Sequence, residues 1–156
     1  MNERVLHRRQ VLDVPIEETF DFFAEAANLE AITPPFLRFR ITTPEPIEMR
    51  VGTLIDYRLR LHGIPVSWHT RIEAWDPPHG FVDRQLRGPY ALWHHTHTFE
   101  ALDDGRTQMT DLVRYAQRFG PLGTLAEHLV VRRDLERIFD HRRNSIPALL
   151  AAGGAA

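Results

Sequence analysis

The chain has 156 residues, of which 43% are hydrophobic and 26% charged, and its formal net charge at pH 7 is −2. This length is enough for one domain with a real core, and a nearly neutral chain offers no basic field to recruit nucleic acid or anionic lipid. The chain contains neither lysine nor cysteine, which excludes amine and thiol nucleophiles, disulfides and cysteine-ligated zinc.

The first ten residues, MNERVLHRRQ, hold no apolar signal-peptide core, and no stretch reaches the length of a membrane span. With the lack of cysteine, this predicts a cytoplasmic protein. Residues 1–150 are predicted to form a single ligand-binding domain, and residues 151–156 (AAGGAA) a disordered tail. The oligomeric state is left open between monomer and homodimer.

The first predicted elements are a strand at 4–14 and two short helices. Pro15, Glu17 and Glu18 are typical of a helix start, and apolar residues follow at helical spacing. The segment NLEAITPP predicts a second short helix, which the two prolines end. These helices and the following TPPF loop are expected to border the mouth of any cavity.

Six β-rich segments with a period of two follow, separated by short turns. They are LRFRITT, GTLIDYRLRL, PVSWHTRIEAW, GFVDRQLRG, ALWHHTHTFEAL and RTQMTDLVRYAQRF. Strands joined by short turns predict an antiparallel sheet. The last element, TLAEHLVVRRDLERIFDHRRNSIPALL, is predicted to be a long amphipathic helix. Leu125, Leu129, Leu135, Ile138 and Phe139 lie close to one face, and another face is occupied by most of Arg132, Arg133, Arg137, Arg142 and Arg143.

These elements predict an α+β fold in which a seven-stranded antiparallel sheet curves around the long C-terminal helix. Two short helices lie between the first and second strands. A sheet curved around one helix is expected to leave a cavity open at one end.

Three histidines lie close together in ALWHHTHTFEAL. Alternate residues of a strand share a face, so the aromatic set with Trp93, His95 and His97 is assigned to the interior and His94 to the exterior. If Leu102 pairs with Arg106 across a three-residue loop, His97 lies opposite Asp111 and Trp93 opposite Tyr115. This register predicts an interior His97–Asp111 pair with His95 beside it.

The same alternation, with the apolar face of the last helix, gives the predicted ligand-binding residues. They are Tyr57, Leu59, Trp68, Thr70, Phe81, Asp83, Gln85, Trp93, His95, His97, Asp111, Val113, Tyr115, Leu125 and Leu129.

The segments NLEAITPP, GIPVSWHTRIEAWDPPHGFVDRQLRGPYALWHHTHTF, MTDLVRY and GPLG resemble the START-like (SRPBCC) ligand-binding superfamily over residues 5–145. Within it they are similar to an uncharacterised bacterial subfamily near the polyketide cyclase/dehydrase branch. The resemblance implies a helix-grip fold with a deep apolar pocket. Members bind lipids, sterols, polyketides, plant hormones or aromatic intermediates, and some catalyse cyclisation or dehydration. The resemblance assigns no role to individual residues.

Three functions remain open. The first is an intracellular binding protein for a small apolar or aromatic, partly oxygenated molecule. The second is a cyclase/dehydratase-type enzyme with His97 as acid or base, Asp111 orienting it and His95 assisting. The third is a partner or regulatory domain with a filled cavity.

No cofactor and no metal are expected. His95 and His97 share a face as metal sites require, with Asp111 or Asp83 as the third ligand, but a carboxylate partner for His97 is the simpler arrangement.

Overall fold

The computed structural model describes residues 2–118 and 125–154, with side chains placed at all of these except residues 125–127 and 154. Its strands are β1 (Arg4–Leu12), β2 (Arg40–Ile41), β3 (Leu54–Leu61), β4 (Ile64–Asp76), β5 (Gly80–Arg87), β6 (Tyr90–Ala101) and β7 (Thr107–Gln117). Its helices are α1 (Ile16–Ala24), α2 (Ala27–Ala31) and α3 (Leu125–Gly154), with a 3₁₀ turn at Pro35–Leu37.

The strands form one antiparallel sheet in the order β1-β7-β6-β5-β4-β3-β2. Strands β3 to β7 follow one another in the sheet because short turns join antiparallel neighbours. β1 pairs with β7 at one edge, from Arg4 opposite Tyr115 to Leu12 opposite Thr107, while β2 lies at the other edge. α1 and α2 therefore belong to the segment that carries the chain between the two edges. The arrangement is the predicted helix-grip fold.

Helix α3 buries one face against the sheet in two apolar clusters. Leu135 and Phe139 pack with residues of β6 and β7, including Val113. Nearer the C-terminal end, Ile146 and Leu150 pack with residues of β1, β6, β7 and α1. Burying apolar side chains contributes about 25 cal/mol per Å² removed from water, which holds the helix across the sheet.

Strand β2 and the C-terminus differ from the prediction. The predicted strand at LRFRITT is reduced to Arg40–Ile41, which pairs only with β3 at an open edge of the sheet. Helix α3 continues to Gly154, so residues 151–154 are helical where a tail is predicted, because alanine extends a helix readily. The GPLG segment at 120–123 and residues 155–156 lie outside the described residues.

A β-bulge in β4 changes which side chains face inward. The register with β5 shifts between Ile72 and Ala74. Ile72 faces the interior before the bulge, and after it Trp75 does so, opposite Phe81. Trp75 consequently packs on Phe20 and Phe81, with ring centroids 5.0 and 5.4 Å away. Bulges bend a strand and increase its twist.

Candidate functional site

A cavity of about 160 Å³ lies between the sheet and α3. Its lining comes from β3 to β6 and α3, and also from α1, α2 and the loop after them. The short helices were expected to border the cavity. Nine of the predicted ligand-binding residues line it: Tyr57, Leu59, Trp68, Thr70, Phe81, Asp83, Trp93, His95 and His97. Their role in binding stays a prediction.

Four other predicted residues are buried but do not line this cavity. The side-chain amide of Gln85 hydrogen-bonds to both backbone groups of Tyr90, which fixes the turn into β6. Val113 and Tyr115 belong to the apolar cluster under α3. The Asp111 carboxylate is hydrogen-bonded to the ring of His95, which does line the cavity.

The prediction for Leu129 is wrong, since this side chain is 57% exposed. At 100° per residue it is rotated by about 120° from the buried Leu135, which turns it away from the sheet. The side chain of Leu125 lies outside the described side chains.

The aromatic wall of the cavity is formed by Trp68, Trp93 and Tyr90. The rings of Trp68 and Trp93 meet edge to face with centroids 5.2 Å apart, and Tyr90 lies 5.6 Å from Trp68 and 5.0 Å from Trp93. Tyr90 is a lining residue that the alternation missed, because the register of β6 and β7 shifts between Tyr90 and Leu92.

The polar part of the site contains two imidazoles between two carboxylates. The rings of His95 and His97 stack with centroids 3.7 Å apart. His95 Nε2 hydrogen-bonds to Asp111 Oδ1 at 2.8 Å, and His97 Nε2 to Asp83 Oδ2 at 2.7 Å. The remaining nitrogens complete the ring of contacts: His97 Nδ1 lies 3.4 Å from Asp111 Oδ1, and His95 Nδ1 lies 3.7 Å from Asp83 Oδ2. We call these four residues the His–Asp tetrad.

The predicted register is confirmed, with His97 opposite Asp111, His95 opposite Val113 and Trp93 opposite Tyr115. The predicted His97–Asp111 pair needs a correction, however. Asp83 is the hydrogen-bond partner of His97, and Asp111 is that of His95. Backbone pairing sets which residues are neighbours, but the rotamers direct each imidazole diagonally.

The tetrad separates the pKa values of its two histidines. Burial acts to lower the pKa of His97, but the Asp111 and Asp83 carboxylates that face its two ring nitrogens outweigh burial and raise it. Burial and the positive charge of His97 lower the pKa of His95. Burial acts to raise the pKa of Asp83 and Asp111, yet the histidine hydrogen bonds and charges leave both values lowered. The tetrad therefore favours two ionised carboxylates, with a proton held on His97 rather than on His95.

Arg142 is a site residue that the sequence reasoning placed on the wrong face of α3. Its side chain lines the cavity, and its guanidinium lies 5.3 Å from the ring centroid of Phe139. The signal was present in the spacing: Arg142 follows Leu135 by seven residues, which at 100° each leaves it about 20° from that buried side chain.

His94 lies on the outer face of the sheet, as predicted, with Nε2 3.9 Å from Glu73 Oε2. Within the described residues, Asp83, His95 and His97 form a group whose ligand atoms all lie within 4.8 Å of one another. These three residues could hold a metal ion, which would have to replace the hydrogen bond between His97 and Asp83.

No family model matches the sequence, and no curated protein matches it. Similar solved structures are found, however. The Zhui aromatase/cyclase from Streptomyces sp. R1128 is 18% identical, with a TM-score of 0.76 over 96% of this chain and 94% of that one. Protein Ms6760 from Mycobacterium smegmatis is 22% identical, with a TM-score of 0.70 over 96% and 92%. Ara h 8.0201 is 16% identical, with a TM-score of 0.62 over 92% and 97%.

At these identities the likeness establishes the fold alone. The chain has the helix-grip fold of START-like proteins, as the resemblance in the sequence predicts. Among residues 2–118 and 125–154, no helix combines the length and apolar character needed to cross a bilayer.

Proposed function

We propose that the chain is a binding protein for a small apolar or aromatic, partly oxygenated molecule of lipid or polyketide type, held between the sheet and α3. The cavity carries this proposal. Its lining is mainly aliphatic and aromatic, with few polar groups, among them Thr70, Asp83 and Arg142. Sites of this composition bind through apolar contact and use a few polar groups to orient the ligand. The structural similarity to an aromatase/cyclase supports an aromatic ligand.

Binding is favoured over catalysis by the geometry of the imidazoles. Each ring nitrogen of His95 and His97 faces a carboxylate oxygen within 3.7 Å. Asp83 is the tetrad carboxylate that lines the cavity, and its lowered pKa makes it a weak base but a good hydrogen-bond acceptor.

The three tryptophans allow a test of where a ligand binds, because Trp68 and Trp93 line the cavity and Trp75 does not. Menadione, an aromatic diketone that quenches tryptophan, is a suitable probe because the chain has no thiol to react with it. We expect saturable quenching in the Trp75→Phe variant, which keeps both cavity tryptophans. The matched variant Trp68→Phe/Trp93→Phe should lose most of it. Quenching no more saturable than that of free N-acetyltryptophanamide would count against an aromatic ligand in this cavity.

Native mass spectrometry of the purified protein, followed by denaturation and metal analysis of the same sample, would identify a resident molecule. A released organic compound would give the ligand class directly. Stoichiometric metal would instead assign Asp83, His95 and His97 as its ligands.

A second candidate function, acid–base catalysis of the cyclase/dehydratase type, is favoured by one observation. Two adjacent imidazoles have pKa values displaced in opposite directions, a pattern typical of paired acid and base groups. Asp83, which lines the cavity and is hydrogen-bonded to His97, would connect the ligand to the tetrad.

Hydrogen–deuterium exchange at C2 of 1-tetralone in D₂O, followed by proton NMR, tests this step without knowledge of the substrate. An enzyme should accelerate exchange above the buffer rate, and Asp83→Asn should abolish the acceleration. Exchange at the buffer rate despite binding would leave the chain a binding protein.

A further inference from the structure

Arg142 has donors without acceptors. Its Nε is buried and makes no hydrogen bond, and no side chain in the described part of the protein lies within ion-pair distance of its guanidinium. Burial lowers its pKa, and the more distant charges of Asp111 and Asp83 oppose this effect. A buried N–H without an acceptor is costly, so a ligand that supplies an acceptor to the partly buried Arg142 guanidinium would be favoured at this position.

Other arginines of α3 do have local partners. Arg132 pairs with Glu136 one turn along the helix, Arg143 hydrogen-bonds to the backbone of Arg9, and Arg137 lies over the ring of Phe36. These contacts account for side chains on the surface of the helix. Arg142 instead lines the cavity. Among the described residues it is the only arginine that does so.

A role as counterion for the tetrad does not explain this geometry. Asp83 and Asp111 are already hydrogen-bonded to His97 and His95 at 2.7 and 2.8 Å. An arginine that served these carboxylates would donate to them within ion-pair distance. The guanidinium is a planar fork of donors, and the acceptor that matches it best is a carboxylate, which takes two parallel N–H bonds at once.

We propose that the ligand is a carboxylic acid with an apolar or aromatic body, and that Arg142 binds its carboxylate. This inference rests on the proposed function, because the body of the ligand occupies the cavity. It adds the chemical class of the polar group and the residue that recognises it.

Isothermal titration calorimetry with matched acids and amides tests the inference. The probes are 2-naphthoic acid with 2-naphthamide and decanoic acid with decanamide, each pair sharing one body. Hydrogen bonds to charged groups are strong enough that the acid of a pair should bind at least about 10-fold more tightly than its amide. In Arg142→Met the preference should fall to within about 3-fold while amide binding is retained.

Arg133→Met is the matched control, since Arg133 is exposed and lies nine residues earlier, about 180° around the helix. It should keep the wild-type preference. If Arg142→Met does not give the wild-type circular dichroism spectrum, Arg142→Lys replaces it, because lysine keeps the charge but loses the planar fork and should weaken the preference.

The outcomes separate the two proposals. Equal binding of acid and amide by the wild type, or a preference that survives in both Arg142 variants, overturns the carboxylate inference and leaves the binding function intact. Failure of all four probes and of menadione to bind overturns both.

Discussion

Each carboxylate of the tetrad is hydrogen-bonded to one imidazole and lies close to the other. The protonation of one histidine therefore affects the pKa of the other. His97 has the raised pKa and His95 the lowered one, although both rings are buried and both face the same two carboxylates. The positive charge on His97 contributes to the difference, because it opposes a second charge 3.7 Å away on His95.

Replacing His97 with glutamine should therefore raise the pKa of His95. The substitution removes the neighbouring positive charge and leaves both Asp83 and Asp111 to stabilise a charged His95 ring. Imidazole ¹⁵N chemical shifts recorded as a function of pH would measure this change. His94→Gln is the control, because His94 lies on the outer face, and it should not move the His95 titration. A His95 titration unchanged by His97→Gln would mean that the two rings are not coupled.

Asp111→Asn should destabilise the fold strongly. Asp111 is buried with its carboxylate against His95 and His97, and removing one partner of a buried charged pair costs about 3–5 kcal/mol. Urea unfolding at pH 7 would measure the free energy of unfolding. Asp104→Asn, in the exposed turn where Asp104 pairs with Arg106, should change it little. Similar losses in the two variants would contradict the structural role of the tetrad.

At the scale of elements, Gly80 of β5 lies opposite Thr98 of β6, beside His97, and the two strands leave no room for a side chain there. A Cβ atom built on Gly80 would lie 2.2 Å from the backbone carbonyl oxygen of His97. Since that oxygen cannot move without moving β6, the absence of a side chain at Gly80 is a condition for placing His97 opposite Phe81.

Gly80→Ala should destabilise the protein by about 1–3 kcal/mol, the usual cost of forcing extra volume into a packed region. It should also weaken menadione binding, because β6 carries His95, His97 and Trp93 into the cavity. Gly153→Ala is the control: nothing lies within 4 Å of a Cβ there, and alanine is the better helix former. Thermal unfolding and the quenching titration measure both effects. Gly80→Ala as stable as the wild type would contradict the close strand approach.

The secondary-structure elements and the strand register were predicted well from the sequence, because the spacing of apolar residues and the lengths of the turns determine them. The three-residue turn between Leu102 and Arg106 closes as expected, which places His97 opposite Asp111. Three features escaped this reasoning. The bulge after Ile72 changes the parity of β4 and packs Trp75 against Phe20 and Phe81. Rotamers, which alternation does not specify, connect His97 to Asp83. Arg142 was grouped with other charges, although its angle on α3 places it on the apolar face.

At the scale of the whole molecule, the tetrad is a set of buried charges that stabilise one another. The pKa values of Asp83 and Asp111 are lowered and that of His97 is raised, so the two carboxylates and the charged form of His97 favour each other. Any change in protonation leaves a buried charge uncompensated, which is costly away from water. The tetrad should therefore contribute visibly to the pH dependence of folding.

We expect the stability contributed by the tetrad to be greatest near pH 6.5, the ordinary pKa of histidine. His97 has a raised folded pKa, so its contribution is complete below about 6.5 and is lost as pH rises from there through the raised folded value. His95 has a lowered folded pKa, so stability is lost as pH falls below about 6.5, and the lowered values of Asp83 and Asp111 add a further loss below about 4. Urea unfolding from pH 3 to 9 would measure this profile. His95→Gln/His97→Gln should remove the maximum, and a double variant that retains it would place its origin outside the tetrad.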